Sequence, residues 1–69
     1  MQAKHVQFHT TEHHLLGYES LAWYVVNGSD SYSVGGALGA TAQQAEERAE
    51  LDLQRVARKN AAHGIPGIV

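Results

Sequence analysis

The residues best equipped for chemistry in this chain are its five histidines, His5, His9, His13, His14 and His63. Imidazole binds transition metals, and it is the side chain whose charge changes closest to neutral pH. Spacing decides whether such groups can act together. His5 and His9 fall on one side of an alternating segment, roughly 13 Å apart at the rise of a strand. That is too far to share an ion without a bend. His13 and His14 would have to approach from a loop. No pair has the spacing of a zinc ligand set. The chain has no cysteine, which removes thiolate zinc sites and disulfides together. No metal and no cofactor is therefore expected. A histidine-bound metal stabilising the fold or an oligomer stands as one alternative. Below about pH 6.5 protonation would make any histidine-bearing surface pH-sensitive.

The other candidate chemistries are weaker. Ser20, Ser29, Ser31 and Ser33 show no accompanying His and Asp constellation, and a chain this short has little room for a substrate pocket. No enzyme is expected. Gly35-Gly36-Ala37-Leu38-Gly39-Ala40-Thr41 leads toward a helix start, where backbone amides can hold an anion. It lacks the lysine and spacing of a phosphate-binding loop, so it reads as a flexible connector. Arg48, Arg55 and Arg58 recur along one stretch, with Leu51 among them and Lys59 beyond. An apolar residue ringed by arginines has the centre-and-rim composition of a protein interface. The same arginines could contact phosphates, or be neutralised by Glu47 and Asp52 on a solvated face.

These residues need elements to hold them. Residues 3 to 10 alternate, with Val6 and Phe8 on one side and His5, Gln7 and His9 on the other, as in a half-buried strand. Residues 11 to 18 read as a connection in which Leu15 and Leu16 cover an edge of the core. Ala22-Trp23-Tyr24-Val25-Val26 has the aromatic and β-branched bias of a strand spanning 19 to 27. Asn27-Gly28-Ser29-Asp30 is turn chemistry. A loop of those four residues sets Val25 opposite Tyr32 and Trp23 opposite Val34. Leu21, Trp23, Val25, Tyr32 and Val34 then share the face expected to carry the core. Ala22, Tyr24, Val26, Ser31 and Ser33 are left outside, beside His5 and His9. Gly35-Gly36 marks a bulge or a close backbone approach.

Thr41 and Gln44 match a helix capping box. Glu46, Glu47 and Glu50 precede Arg55, Arg58 and Lys59, the order that suits the helix dipole. Gly64 and Pro66 end the helix. Ala42, Ala45, Ala49, Leu53, Val56 and Ala57 share one face at 100° per residue. Leu51 lies opposite. The fold class expected is α+β: a three-stranded antiparallel meander with its hairpin at 27–30, packed on one helix of about 42–62. The chain is a single domain over 1–69, and residues 64–69 form an apolar tail that could fold back on Leu15 and Leu16 or join a partner.

Sixty-nine residues, seven acidic against five basic, give a net charge of −2. That balance disfavours strong nucleic-acid binding, which relies on phosphate neutralisation. No apolar run is long enough to span a membrane, and the N-terminus lacks a secretory h-region. The expected location is cytoplasmic. From Gly36 to Val56, GALGATAQQAEERAELDLQRV resembles the last strand and helix of a double-stranded-RNA-binding domain. Thr41, Ala45 and Glu46 match its Ser-Lys-Lys-x-Ala-Glu helix start. Gln43 and Gln44 stand in the stretch where that family carries phosphate-binding lysines, and its first helix has no counterpart here. The chain also resembles small antitoxin domains in which a three-stranded meander precedes a Thr-x-x-Glu-Ala helix. Neither resemblance assigns a family.

The reading that follows is a small non-enzymatic module that binds another protein, of inhibitor or regulator type, phage-encoded or carried by a mobile element, with a homodimer as one form. The residues expected to make contact are Leu51, Arg48, Arg55 and Arg58 on the helix, with Tyr24, His5 and His9 on the sheet. Nucleic-acid binding through the basic helix face is the second alternative.

Overall fold

Alternation, turn chemistry and a capped alanine-rich segment produce three strands and a helix in the expected order. The computed structural model describes residues 4–13, 15 and 17–64, with Tyr32 described by its backbone alone. β1 spans Lys4–His13, β2 Gly17–Val26, β3 Ser29–Gly39, and α1 Ala42–Ala62. The strands form one antiparallel sheet in the order β1-β2-β3, and α1 packs against one face of it. This is the α+β meander-plus-helix class expected. His14, Leu16, the Tyr32 side chain and the tail from Ile65 to Val69 lie outside the described residues.

The strands outgrow their expected bounds. Pairing continues from Lys4↔Val26 to His13↔Gly17, so most of the segment read as a connection is ladder. Leu15, expected to cover the core, is 88% exposed. The second hairpin is tighter than expected. Asn27 and Gly28 both have positive φ, 52° and 83°, as a two-residue hairpin turn requires. Val25 consequently pairs with Asp30 and not with Tyr32. The expected register holds from Trp23↔Val34 to the far end, and a bulge opposite Tyr24 absorbs the difference. Within the bulge Ser31 Oγ donates to the Ser33 carbonyl at 3.2 Å. Gly35 and Gly36 do not break β3, which runs on to Gly39, so the connector reading of 35–41 is also corrected.

The main correction concerns which face is buried. The core holds Ala22, Tyr24, Ala45, Ala49, Leu53 and Ala57, with Ser20 and Ser33 beside them. Val6 and Phe8 pack partly against this cluster. Leu21 and Val34, expected inside, are 41% and 47% exposed. Trp23 and Val25 share their outward face. The reason is the distance between layers. A Cβ placed on Gly35 would lie 2.2 Å from the Leu53 backbone nitrogen and 2.6 Å from the Ala49 carbonyl oxygen. One on Gly39 would lie 2.5 Å from the Ala45 nitrogen. The helix backbone rests almost on the strand. Only small residues fit beneath it, and Ser20, Ala22, Ser33, Gly35 and Gly39 supply them. Leu21, Trp23, Val25 and Val34 occupy the alternate positions and point away, and Tyr24 is the large β2 side chain that joins the core.

The helix is capped and pinned. Thr41 Oγ1 accepts from the Gln44 amide at 3.1 Å. The Gln44 side chain accepts from the Ala40 amide at 2.7 Å, one residue beyond the usual capping-box partner, the N-cap amide. Gly64, at φ 76°, ends the helix in the left-handed region, and its amide donates to the Ala61 carbonyl. Near the helix start Thr10 Oγ1 donates to Glu46 Oε2 at 2.7 Å and meets Ser20 Oγ at 3.0 Å. Near its end Asn60 Nδ2 donates to Ser33 Oγ at 3.1 Å. The two buried serines are therefore satisfied.

Adjacent glycines should respond in opposite ways. Gly35→Ala drives a methyl into helix backbone and should cost about 3 kcal/mol or more. At Gly36 the new methyl is tight only against the tip of Leu21, at 3.1 Å, with the Ser20 carbonyl oxygen at an ordinary 3.7 Å, and Gly36→Ala should cost under about 1 kcal/mol. Leu53→Ala, at a fully buried side chain, should cost about 2–5 kcal/mol. Urea midpoints of the three variants measure this ordering.

Candidate protein-binding surface

The outward face of the sheet is built from alternate positions of three strands. Cross-strand pairing sets Gln7, Trp23 and Val34 in one row, and His9, Leu21 and Gly36 in the next. Thr11, Glu19 and Leu38 make a third row; His5, Val25 and Asp30 make a fourth. The two central rows contain no Asp, Glu, Lys or Arg. Leu21 leans over the space left by Gly36, and Leu38 is 42% exposed. Trp23 is half-buried among its neighbours, and its indole Nε1 donates to Asp30 Oδ1 at 3.1 Å. That bond holds the ring on the open face. The result is an apolar centre of Leu21, Trp23 and Val34, flanked by imidazoles on the β1 side.

The residues expected to form one contact surface are divided by this geometry. His5 and His9 are exposed on the outward face. Tyr24 is not with them. It belongs to the core at 8% exposure, and Lys4 Nζ lies 4.7 Å above its ring. Placing Tyr24 outside followed from the inverted choice of face. Leu51 is exposed at 65% on the far side of the helix. A helix and a sheet thus separate it from His5 and His9, and the two groups cannot join one flat contact.

The arginines around Leu51 have intramolecular tasks. Arg48 Nη1 donates to the Leu38 carbonyl at 3.1 Å. Four residues on, Asp52 Oδ2 accepts the Gly36 amide at 2.9 Å. Both backbone groups lie on the edge of β3 that faces away from β2. Spaced one helical turn apart, Arg48 and Asp52 cap an edge strand as a neighbouring strand would. Arg55 braces the arrangement with two bonds to Asp52 Oδ1, at 3.1 and 2.7 Å. Arg58 is exposed. The Gly36 amide, and after it the Arg55 guanidinium, hold the Asp52 carboxyl below the usual carboxylate range.

Among the described residues no three His, Asp or Glu side chains are grouped so as to hold a metal ion. His13 instead faces Glu19, at 3.4 Å. No described helix is long and apolar enough to cross a membrane. The chain matches no family model, no curated protein and no solved structure.

Sequence reasoning missed Leu21, Trp23, Val34 and Leu38 as surface residues. A signal was present. Small residues recur in β2 and β3 at the parity of Ser20, Ala22, Ser33, Gly35 and Gly39, matching the alanine stripe of the helix.

The edge cap has a pH signature. Because the folded pKa of Asp52 is depressed, its contribution is complete above the ordinary aspartate pKa and is lost as pH falls through the lower folded value. Asp52→Asn should therefore flatten the acid limb of the stability–pH curve while changing stability little once the pH is below the depressed folded pKa of Asp52. Thermal melts of both proteins between pH 2 and pH 7 check this.

Proposed function

We propose that the chain is a small non-enzymatic interaction module of inhibitor or regulator type, binding another protein through the outward face of its sheet. The observation that carries the reading is the exposure of Leu21, Val34 and Leu38 around Trp23 on one open face. Contact surfaces concentrate aromatic and aliphatic residues at an uncharged centre with polar groups around it. Here the centre is Trp23, Leu21 and Val34, and the surround is His5, Gln7, His9, Glu19 and Asp30. The positions of the face are fixed by a hydrogen-bonded sheet, so little ordering cost attends binding.

The helix surface around Leu51 is the smaller candidate. Its one large apolar side chain stands between Arg48 and Arg55, which are already bonded within the chain. Those bonds also weaken a phosphate-binding role for the same residues.

Two sets of variants separate the surfaces. Leu21→Asp and Val34→Lys should each weaken partner binding at least tenfold, the scale of losing a central contact residue. Leu51→Asp should leave it within about threefold, as for peripheral positions. Circular dichroism establishes that each variant is folded, and the emission of Trp23, the only tryptophan, reports binding directly. The opposite ranking would transfer the function to the helix.

A further inference from the structure

The sheet has two edges, and the chain treats them differently. α1 lies chiefly over β3 and β2, and Arg48 and Asp52 occupy the outer edge of β3. Among the described residues, β1 touches only β2 along one side and the helix on its inner face. Its outer edge, ten residues long, has no neighbour among the described residues. Natural sheets seldom leave a long edge unpaired without a bulge, a proline or inward-pointing charge along it, and between Lys4 and Glu12 β1 has none of these.

The direction of the backbone groups can be worked out. The Gly36 amide and Leu38 carbonyl point away from β2. Gly35 and Ala37 therefore bond to their partners Ala22 and Ser20. Leu21 and Trp23 must then bond to His9 and Gln7. The amides and carbonyls of Val6, Phe8, Thr10 and Glu12 are left facing the open edge. Their side chains lie on the helix face, where Val6 and Phe8 are only half-buried at the margin of the core.

We propose that this edge pairs with the β1 of a second copy, antiparallel, about a two-fold axis through Phe8. That register sets Phe8 against the second copy's Phe8, and Val6 against its Thr10. It also sets Lys4 against the second copy's Glu12, twice by symmetry. Opposite charges meet at both ends, and the aromatic rings meet in the middle. Moving the axis to His9 pairs Val6 with Glu12 and His5 with His13, losing both matches. A one-residue slip would turn inner side chains outward. The product is a six-stranded sheet ordered β3-β2-β1-β1-β2-β3, with both helices on one face. Its two outermost edges are the ones that Arg48 and Asp52 cap. Val6 and Phe8 become interior, and the outward apolar face becomes continuous across both copies. The proposal does not rest on what that face binds.

Charge reversal tests both the dimer and its register. Within one strand Lys4 and Glu12 are about 27 Å apart, so they can influence each other only across copies. Lys4→Glu alone and Glu12→Lys alone should each raise the dimer dissociation constant roughly tenfold, by placing like charges opposite one another. The double variant should return it to within about threefold of the original. Sedimentation equilibrium of the full chain reads all four constants, and amide exchange at Phe8 and Thr10 should slow as concentration rises. Val34→Lys, on the outward face, should leave the dimer intact. A monomer at every concentration would overturn the proposal. So would a dimer indifferent to the single reversals, one not rescued by the double, or one abolished by Val34→Lys, which would mean pairing through the outward face.

Discussion

Everything in this molecule depends on how closely the helix backbone approaches β3. At Gly35 there is no room for even a methyl group between strand and helix. That proximity dictates small residues on both sides, Ala45, Ala49 and Ala57 above and Ser20, Ala22, Ser33 and Gly35 below. Among the described residues Leu53 is the one large aliphatic side chain the interface fully buries. The same proximity lets short polar side chains bridge the layers. Glu46 reaches Thr10, and Asn60 reaches Ser33. Asp52 and Arg48 reach the strand edge itself. A helix standing off by the usual spacing of about 10 Å between packed layers would reach none of these partners so directly.

Close packing has consequences for the surface. A β-strand has two faces, and residues barred from one must occupy the other. Leu21, Trp23, Val25, Val34 and Leu38 are outward because the inward positions where helix and strand come closest, at Ser20, Ala22, Ser33, Gly35 and Gly39, admit only small residues. The helix also sits off-centre, drawn toward β3 by its glycines. β1 receives less cover, which leaves Phe8 half-buried and the edge of β1 without a neighbour among the described residues. The apolar outward face, the capped edge and the open edge follow from one steric condition.

Much of the architecture was legible in the sequence, because it rests on local signals. Thr41 and Gln44 announced the cap, Gly64 the end, the alanine stripe the buried helix face, and Asn27-Gly28 the hairpin. Period two correctly grouped Leu21, Trp23 and Val34 on a single face. What periodicity cannot supply is which face is inside. That choice was made by bulk, on the premise that large apolar residues fill cores. The premise fails when the interlayer distance is set by backbone contact, since volume then counts against burial. Gly35 and Gly39 carried the information, but only as parity with Ala22 and Ser20. The roles of Arg48 and Asp52 were not legible either. Nothing local distinguishes a solvated i,i+4 pair from one that caps a strand ten to sixteen residues earlier in the chain.

The thin core and the exposed face are two aspects of one compromise. A three-stranded sheet with one helix buries only one of its faces, and a chain of this length has few other means of stabilisation. It has no cysteine. Its interior is mostly methyl-sized, so each buried residue contributes less than the roughly 1.5–3 kcal/mol of a large aliphatic side chain. Moving Leu21 or Val34 inward would enrich the core but separate the layers. Such a change would forfeit the contacts of Asp52, Arg48, Glu46 and Asn60 that align helix and sheet. The apolar area that the fold cannot use internally thus stays on a rigid platform with an uncharged centre, beside a strand whose outer edge is unpaired among the described residues. Association through those surfaces would recover stabilisation that the helix, by lying so close, denies to the monomer.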